Sequence, residues 1–74
     1  MDREEFNKLR IDSTVRNTKL VMEGKVTGFG TQSWLYGAVY GVAMPLAGNG
    51  AYVCYSDRQK SEFVQMKYLE LISR

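Results

Sequence analysis

The spacing of apolar residues changes at residue 12. Before it, Phe6, Leu9 and Ile11 form a thin stripe at helical spacing, which predicts a short helix over residues 2–10. Asp2 can cap that helix, with Glu5 three residues on as the second half of a capping box. Glu4 and Glu5 sit at its positive end, and Lys8 and Arg10 at its negative end. A helix this short is not stable alone, so its stripe must dock. The docking expected is over an open end of the same domain; the alternative is an arm that reaches a partner.

Beyond Asp12 the apolar positions alternate and β-formers dominate. A strand is expected over 19–29, bent by a bulge at Glu23-Gly24, followed by a turn over 30–33. The clearest strand is 34–43. On one of its faces stand Trp34, Tyr36, Ala38, Tyr40 and Val42; on the other stand Leu35, Gly37, Val39, Gly41 and Ala43. The second set is small and aliphatic and is expected to face the interior, with the aromatic row outside. Pro45 stops this strand, and residues 47–50 form a turn of types that tolerate positive φ. Further strands are expected over 51–55, 63–66 and 70–72, with a polar loop over 56–62 and one 3₁₀ turn over 67–69. The fold class is therefore mainly β: a five-stranded antiparallel barrel with a short N-terminal α-helix. Residues 1–12 (the helix) and 13–74 (the barrel) make up one domain.

Charge sharpens this picture. The chain carries 10 Lys and Arg and 8 Asp and Glu, and none of them lies between Val26 and Ser56. That stretch also holds six of the seven glycines, four of the five tyrosines and the only tryptophan. Elements of a soluble domain usually carry charge on the half that faces water. A charge-free stretch of this length implies cover, from the fold itself and from another molecule. A chain of 74 residues buries only about 60% of its unfolded surface, so its core is marginal. Cys54 is the only cysteine and there is no histidine, so neither an internal disulfide nor a structural zinc site can form. Oligomerisation or a well-packed barrel remains as support.

A cytoplasmic setting is expected from the lack of a disulfide framework. The opening Met1-Asp2-Arg3-Glu4-Glu5 is not that of a signal peptide. The longest apolar stretch, 34–47, is 14 residues broken by Gly37, Gly41 and Pro45. A membrane-spanning helix needs about 20 residues, so no membrane partner is expected.

The strand pattern resembles the SH3-like small β-barrels over about residues 14–73. The resemblance is carried by Glu23-Gly24-Lys25-Val26, by 34–39 (WLYGAV), by 52–57 (YVCYSD), by Phe63-Val64-Gln65 and by Leu69-Glu70-Leu71-Ile72. It implies a fold, and function has to be argued from residues. Within that superfamily, Trp34, Tyr36, Tyr55 and Asp57 are spaced similarly to a Tudor-like aromatic cage, which would bind methylated Lys or Arg through cation–π attraction. Val64-Gln65-Met66 is similar to the pore motif of the type II plasmid dihydrofolate reductases. Lys67 stands where that family has tyrosine, and after Val15-Arg16 comes Asn17 where its pore lysine belongs.

No catalytic residue, metal site or cofactor emerges from the sequence. The acids sit in charged or polar settings, Cys54 reads as an inert thiol between Val53 and Tyr55, and Gly24, Gly28 and Gly30 read as bulge and turn glycines. Two binding readings remain. In the first, the charge-free segment contacts protein, either a second copy or another chain, with Trp34, Tyr36, Tyr40 and Tyr55 as anchors. A non-enzymatic homo-oligomeric module of this kind could act as a small adaptor or inhibitor, as small phage-encoded proteins often do. In the second, Arg16, Lys19, Lys25 and Lys60 place phosphates of a nucleic acid beside stacking rings. Asp12, Glu23, Asp57 and Glu62 interrupt those cations, so the protein-contact reading leads.

Overall fold

A computed structural model describes residues 1–33, 38–42, 45 and 48–73. The described chain is mainly β, with one short helix and six antiparallel strands in one sheet. The helix, α1 (Arg3–Asn7), is shorter than its sequence pattern predicts. Asp2 caps it as expected, its carboxylate accepting from the Glu5 N–H at 2.8 Å. At the other end Asp12 takes φ 73, and the Ser13 hydroxyl accepts from the Arg10 N–H at 3.0 Å. That local bond turns the chain out of the helix before Arg10.

The helix docks on its own domain. Phe6 and Leu9 are buried, and the Phe6 ring meets Phe29 edge-on at 5.9 Å. Arg3 donates to the carbonyls of Pro45 and Gly48, and the Met1 ammonium to that of Leu69. The arm alternative is thereby set aside.

The strands are β1 (Thr14–Asn17), β2 (Met22–Ser33), β3 (Ala38–Val42), β4 (Gly50–Tyr55), β5 (Glu62–Gln65) and β6 (Leu69–Ser73). A 3₁₀ turn, Met66–Tyr68, joins β5 to β6. The sheet path is β5-β4-β2-β1-β6, with β3 paired to β2 off that path. Phe29 and Gly30 pair with both β3 and β4, so β3 lies on the edge of β2 opposite β4. β1 uses the same edge further back, at 22–25. One strand more than expected is present, because residues 14–17 form their own short strand. β2 also runs on through 30–33, where a turn was expected.

The core sits on one face of this sheet. In β4, Ala51, Val53 and Tyr55 point inward and Tyr52 and Cys54 outward, as period two requires. In β2 the inward phase changes. Val26 pairs with Val53, but Gly28 pairs with Tyr52, so Thr27 is an extra residue in the ladder. This bulge moves Phe29 onto the core face with Val26. The bulge expected at Glu23-Gly24 is therefore found three residues later. Gly24 has another use: a Cβ there would lie 2.7 Å from Val53 Cγ1 and 2.6 Å from the Cys54 carbonyl oxygen. Its lack of a side chain lets Tyr55 and Val53 pack against the β2 backbone.

Candidate binding surface

Pairing alignment puts three glycines in one line across three strands. Gly30 of β2 is opposite Gly41 of β3 on one side and Gly50 of β4 on the other. Paired residues share a face. Gly50 is in turn paired with Gln65 of β5. This face is the outer one, because Phe63 and Tyr52 occupy the next line of the same side and are only half-buried.

Phe63 fills part of the trough that the glycines leave. Its ring lies 2.5 Å from where a Gly50 Cβ would stand and 2.7 Å from a Gly30 Cβ, and Tyr52 meets it edge-on at 5.8 Å. Gly41 differs from its two partners. It is exposed, and a Cβ there would meet no described residue within 4 Å. The trough is closed by an aromatic ring over β4 and β2 and open over β3. Gly41 was expected to face the interior, and that expectation is corrected. With Thr27 inserted, even-numbered β2 positions from Gly28 onward face out, and Gly41 follows Gly30.

Beside the trough, Asn49 extends the β2–β4 ladder with its side chain. Its amide oxygen accepts from the Gln32 N–H at 2.8 Å, and its amide nitrogen donates to the Gln32 carbonyl at 3.1 Å. Asn49 was expected for its tolerance of positive φ, yet it does not have a positive φ. Its role is to act as a side-chain strand partner. Gln65 Nε2 donates to Gln32 Oε1, closing this amide cluster.

Of the expected anchors, Trp34 and Tyr36 lie outside the described residues, and so do the neighbouring positions 35 and 37. Tyr40 is placed by backbone register in β3, opposite Thr31 and next to Gly41, so its position lies on the other face of the sheet from the glycine line; its expected place on the outer face is corrected together with that of Gly41. Tyr55 is a correction. It is 1% exposed, in the core, and its hydroxyl accepts from the Asn17 amide at 3.0 Å. A ring inside the domain can be neither a partner anchor nor a wall of an open aromatic cage. Its alternation with Val53 and Ala51 puts it there, and Asn17 makes burial of the hydroxyl tolerable. Asn17 itself, 6% exposed, went unnoticed in the sequence. Its Oδ1 also accepts from the N–H groups of Lys19 and Leu20 and so shapes the β1–β2 turn.

The four expected phosphate-binding cations are not gathered. Arg16 in β1 donates to the Glu23 carboxylate at 2.8 Å, and that hydrogen bond, with the charge behind it, raises the guanidinium above its ordinary pKa. Lys25 is exposed on β2, and Lys60 is exposed in the loop between β4 and β5. Lys19 lies 5.5 Å from the Tyr68 ring centre, and the cation it shares that ring with is Lys67, at 5.1 Å.

The residues that resemble the reductase pore motif are distributed differently. Val64 and Val15 belong to the core, while Gln65 bonds Gln32 on the surface. The Cys54 thiol is half-buried and points at the Tyr55 and Arg58 carbonyls, at 3.8 and 3.7 Å. Among the described residues no group of three His, Cys, Asp or Glu side chains could hold a metal ion. Nor is any helix there long and apolar enough to cross a membrane. Comparison of the chain with protein-family profiles, curated proteins and solved structures gives no match in any of the three.

Proposed function

We propose that this chain is a non-enzymatic protein-binding module that self-associates through the outer face of β2, β3 and β4 at the glycine line, a part of that face without charged residues. The observation that carries the reading is the glycine line Gly41-Gly30-Gly50, capped by Phe63 at one end and open at Gly41. Every residue of the line lies in the charge-free stretch between Val26 and Ser56. Charge depletion with half-buried aromatics is the composition of an interface centre. A side-chain-free trough lets a partner's ring or strand approach the backbone closely. β3 adds a second opportunity: among the described residues it pairs with β2 alone, and its other edge would offer backbone groups to an added strand.

A second copy is the first candidate partner, because a domain of only 74 residues gains most from oligomerisation. Action as a small adaptor or inhibitor of another protein would use the same face. An SH3-like barrel is kept as the architectural part of this proposal. Its support is one antiparallel sheet of short strands with a 3₁₀ turn before the last. Against a closed form stands the sheet path, whose ends β5 and β6 are not paired with each other.

The test is capture of partners from native-cell extract by the tagged protein and by its Gly41→Glu variant. The expected outcome is that untagged copies of the chain, and any other bound protein, are lost with the variant. Equal capture by both would refute this face as the contact.

A further inference from the structure

The 3₁₀ turn and the β1–β2 turn bring together a second surface, which includes the amide cluster and adjoins the glycine trough at Phe63. Two adjoining cavities of about 490 and 420 Å³ share Gln32, Gln65 and Lys67 as walls. Each is within the size range of ligand sites. Asn49 and Met66 complete the first, while Lys19 and Tyr68 stand in the second. Among the described residues no acidic side chain lines either one.

Lys19 and Lys67 come from turns far apart in sequence and converge on one ring, at 5.5 and 5.1 Å from its centre. The convergence is fixed by backbone: the Thr18 N–H and hydroxyl both donate to the Tyr68 carbonyl, at 2.8 and 3.1 Å. Neither lysine has an ion-pair partner among the described residues. Two such cations gathered at one ring focus a positive potential that an anion relieves. The opposite wall offers both hydrogen-bonding polarities. The Gln65–Gln32 bond uses one amide's nitrogen and the other's oxygen. Gln32 Nε2 and Gln65 Oε1 are left over as a donor and an acceptor.

We propose that this groove binds single-stranded nucleic acid, with Lys19 and Lys67 taking backbone phosphates, Tyr68 offering a stacking face, and the Gln32 and Gln65 amides meeting base edges. The combination of cations, an aromatic face and two-way amides is what single strands require. An acidic peptide would meet the lysines and, through its backbone N–H and C=O groups, the amides as well, but it brings no base to Tyr68; polyglutamate tests that occupant. The residues differ from the sequence expectation: Lys19 is retained, Arg16 is held by Glu23, and Lys67 replaces Lys25 and Lys60.

The experiment is fluorescence anisotropy with a labelled twelve-nucleotide oligothymidine over a salt series. Binding is expected with a dissociation constant on the order of 10 to 100 µM at moderate salt, as for sequence-independent contacts. Two phosphate contacts predict a log–log salt slope of about −1.4, at about −0.7 per contact on a single strand. Lys19→Gln and Lys67→Gln should each halve that slope, and the double variant should abolish binding. Both side chains are exposed, so circular dichroism should be unchanged. Lys60→Gln, outside the groove, should bind as the parent does. Absence of binding would overturn the proposal. So would equal loss with Lys60→Gln, which would mean diffuse charge, or equal binding of duplex DNA or of polyglutamate.

Discussion

Val21 is the residue under most evident strain. It sits in the β1–β2 turn at φ 55 and is 77% exposed. A β-branched side chain crowds the backbone in that region, and nothing buried repays it. Replacing it by Asn, which tolerates the left-handed conformation, should stabilise the fold by about 1 kcal/mol. In a domain of this size that is a rise in Tm of about 4–8 °C, read from a thermal melt. A lower Tm would mean that Val21 makes a stabilising contact through its methyl groups. Asn49 is the opposite case, a surface-loop residue with structural weight. Asn49→Ala would leave the Gln32 N–H and carbonyl without their partners, both half-buried. The expected loss is about 1–3 kcal/mol in urea unfolding at unchanged m-value. A loss of only a few tenths would show that water replaces the side chain without penalty.

Among the elements, the bulge at Thr27 decides which residues form the core. Thr27 is the extra residue that lets Val26 and Phe29, three positions apart, both face the core; its deletion leaves a regular ladder with Gly28 still opposite Tyr52 and Phe29 still opposite Ala51. Phe29→Ala, by contrast, removes the ring that Phe6 packs against, and loss of a buried Phe costs about 3–5 kcal/mol, a large share of a small domain's stability. The deletion variant is expected to keep a dispersed amide NMR spectrum and Phe29→Ala to lose it. A collapsed spectrum for the deletion would show that this register does not place Phe29. The bulge was not legible in the sequence because Thr27 carries no mark of it. Gly24, which does look like a bulge residue, is needed instead for the close approach of Val53 and Tyr55. By contrast, β4, β5, the 3₁₀ turn and β6 lie within one residue of their predicted ends. Their alternation is short, clean and bounded by turn residues. The strand at 14–17 escaped notice because four residues with one buried aliphatic, Val15, give too little period to detect. The helix was legible from its cap and from Phe6 and Leu9, though not where it ends, since Ser13 and Asp12 break it by a local bond.

For the whole molecule, the account rests on where charge is absent and what the fold does with that absence. The charge-free stretch was visible in the sequence as a surface needing cover. Its alignment into a glycine line was not, because register between three strands is a property of no single strand. Part of the stretch is covered from within: Val26, Phe29, Ala51, Val53 and Tyr55 form half of the buried apolar core among the described residues. What remains uncovered is the outer line ending at Gly41. The measurement that tests this most directly is sedimentation equilibrium of the parent beside Gly41→Glu. A Cβ at Gly41 meets no described residue within 4 Å and requires no unusual φ, so the variant should fold and melt as the parent does. The expected result is a self-associating parent at micromolar concentration and a monomeric variant. A parent that stays monomeric into the millimolar range, or a variant that associates as the parent does, would contradict it.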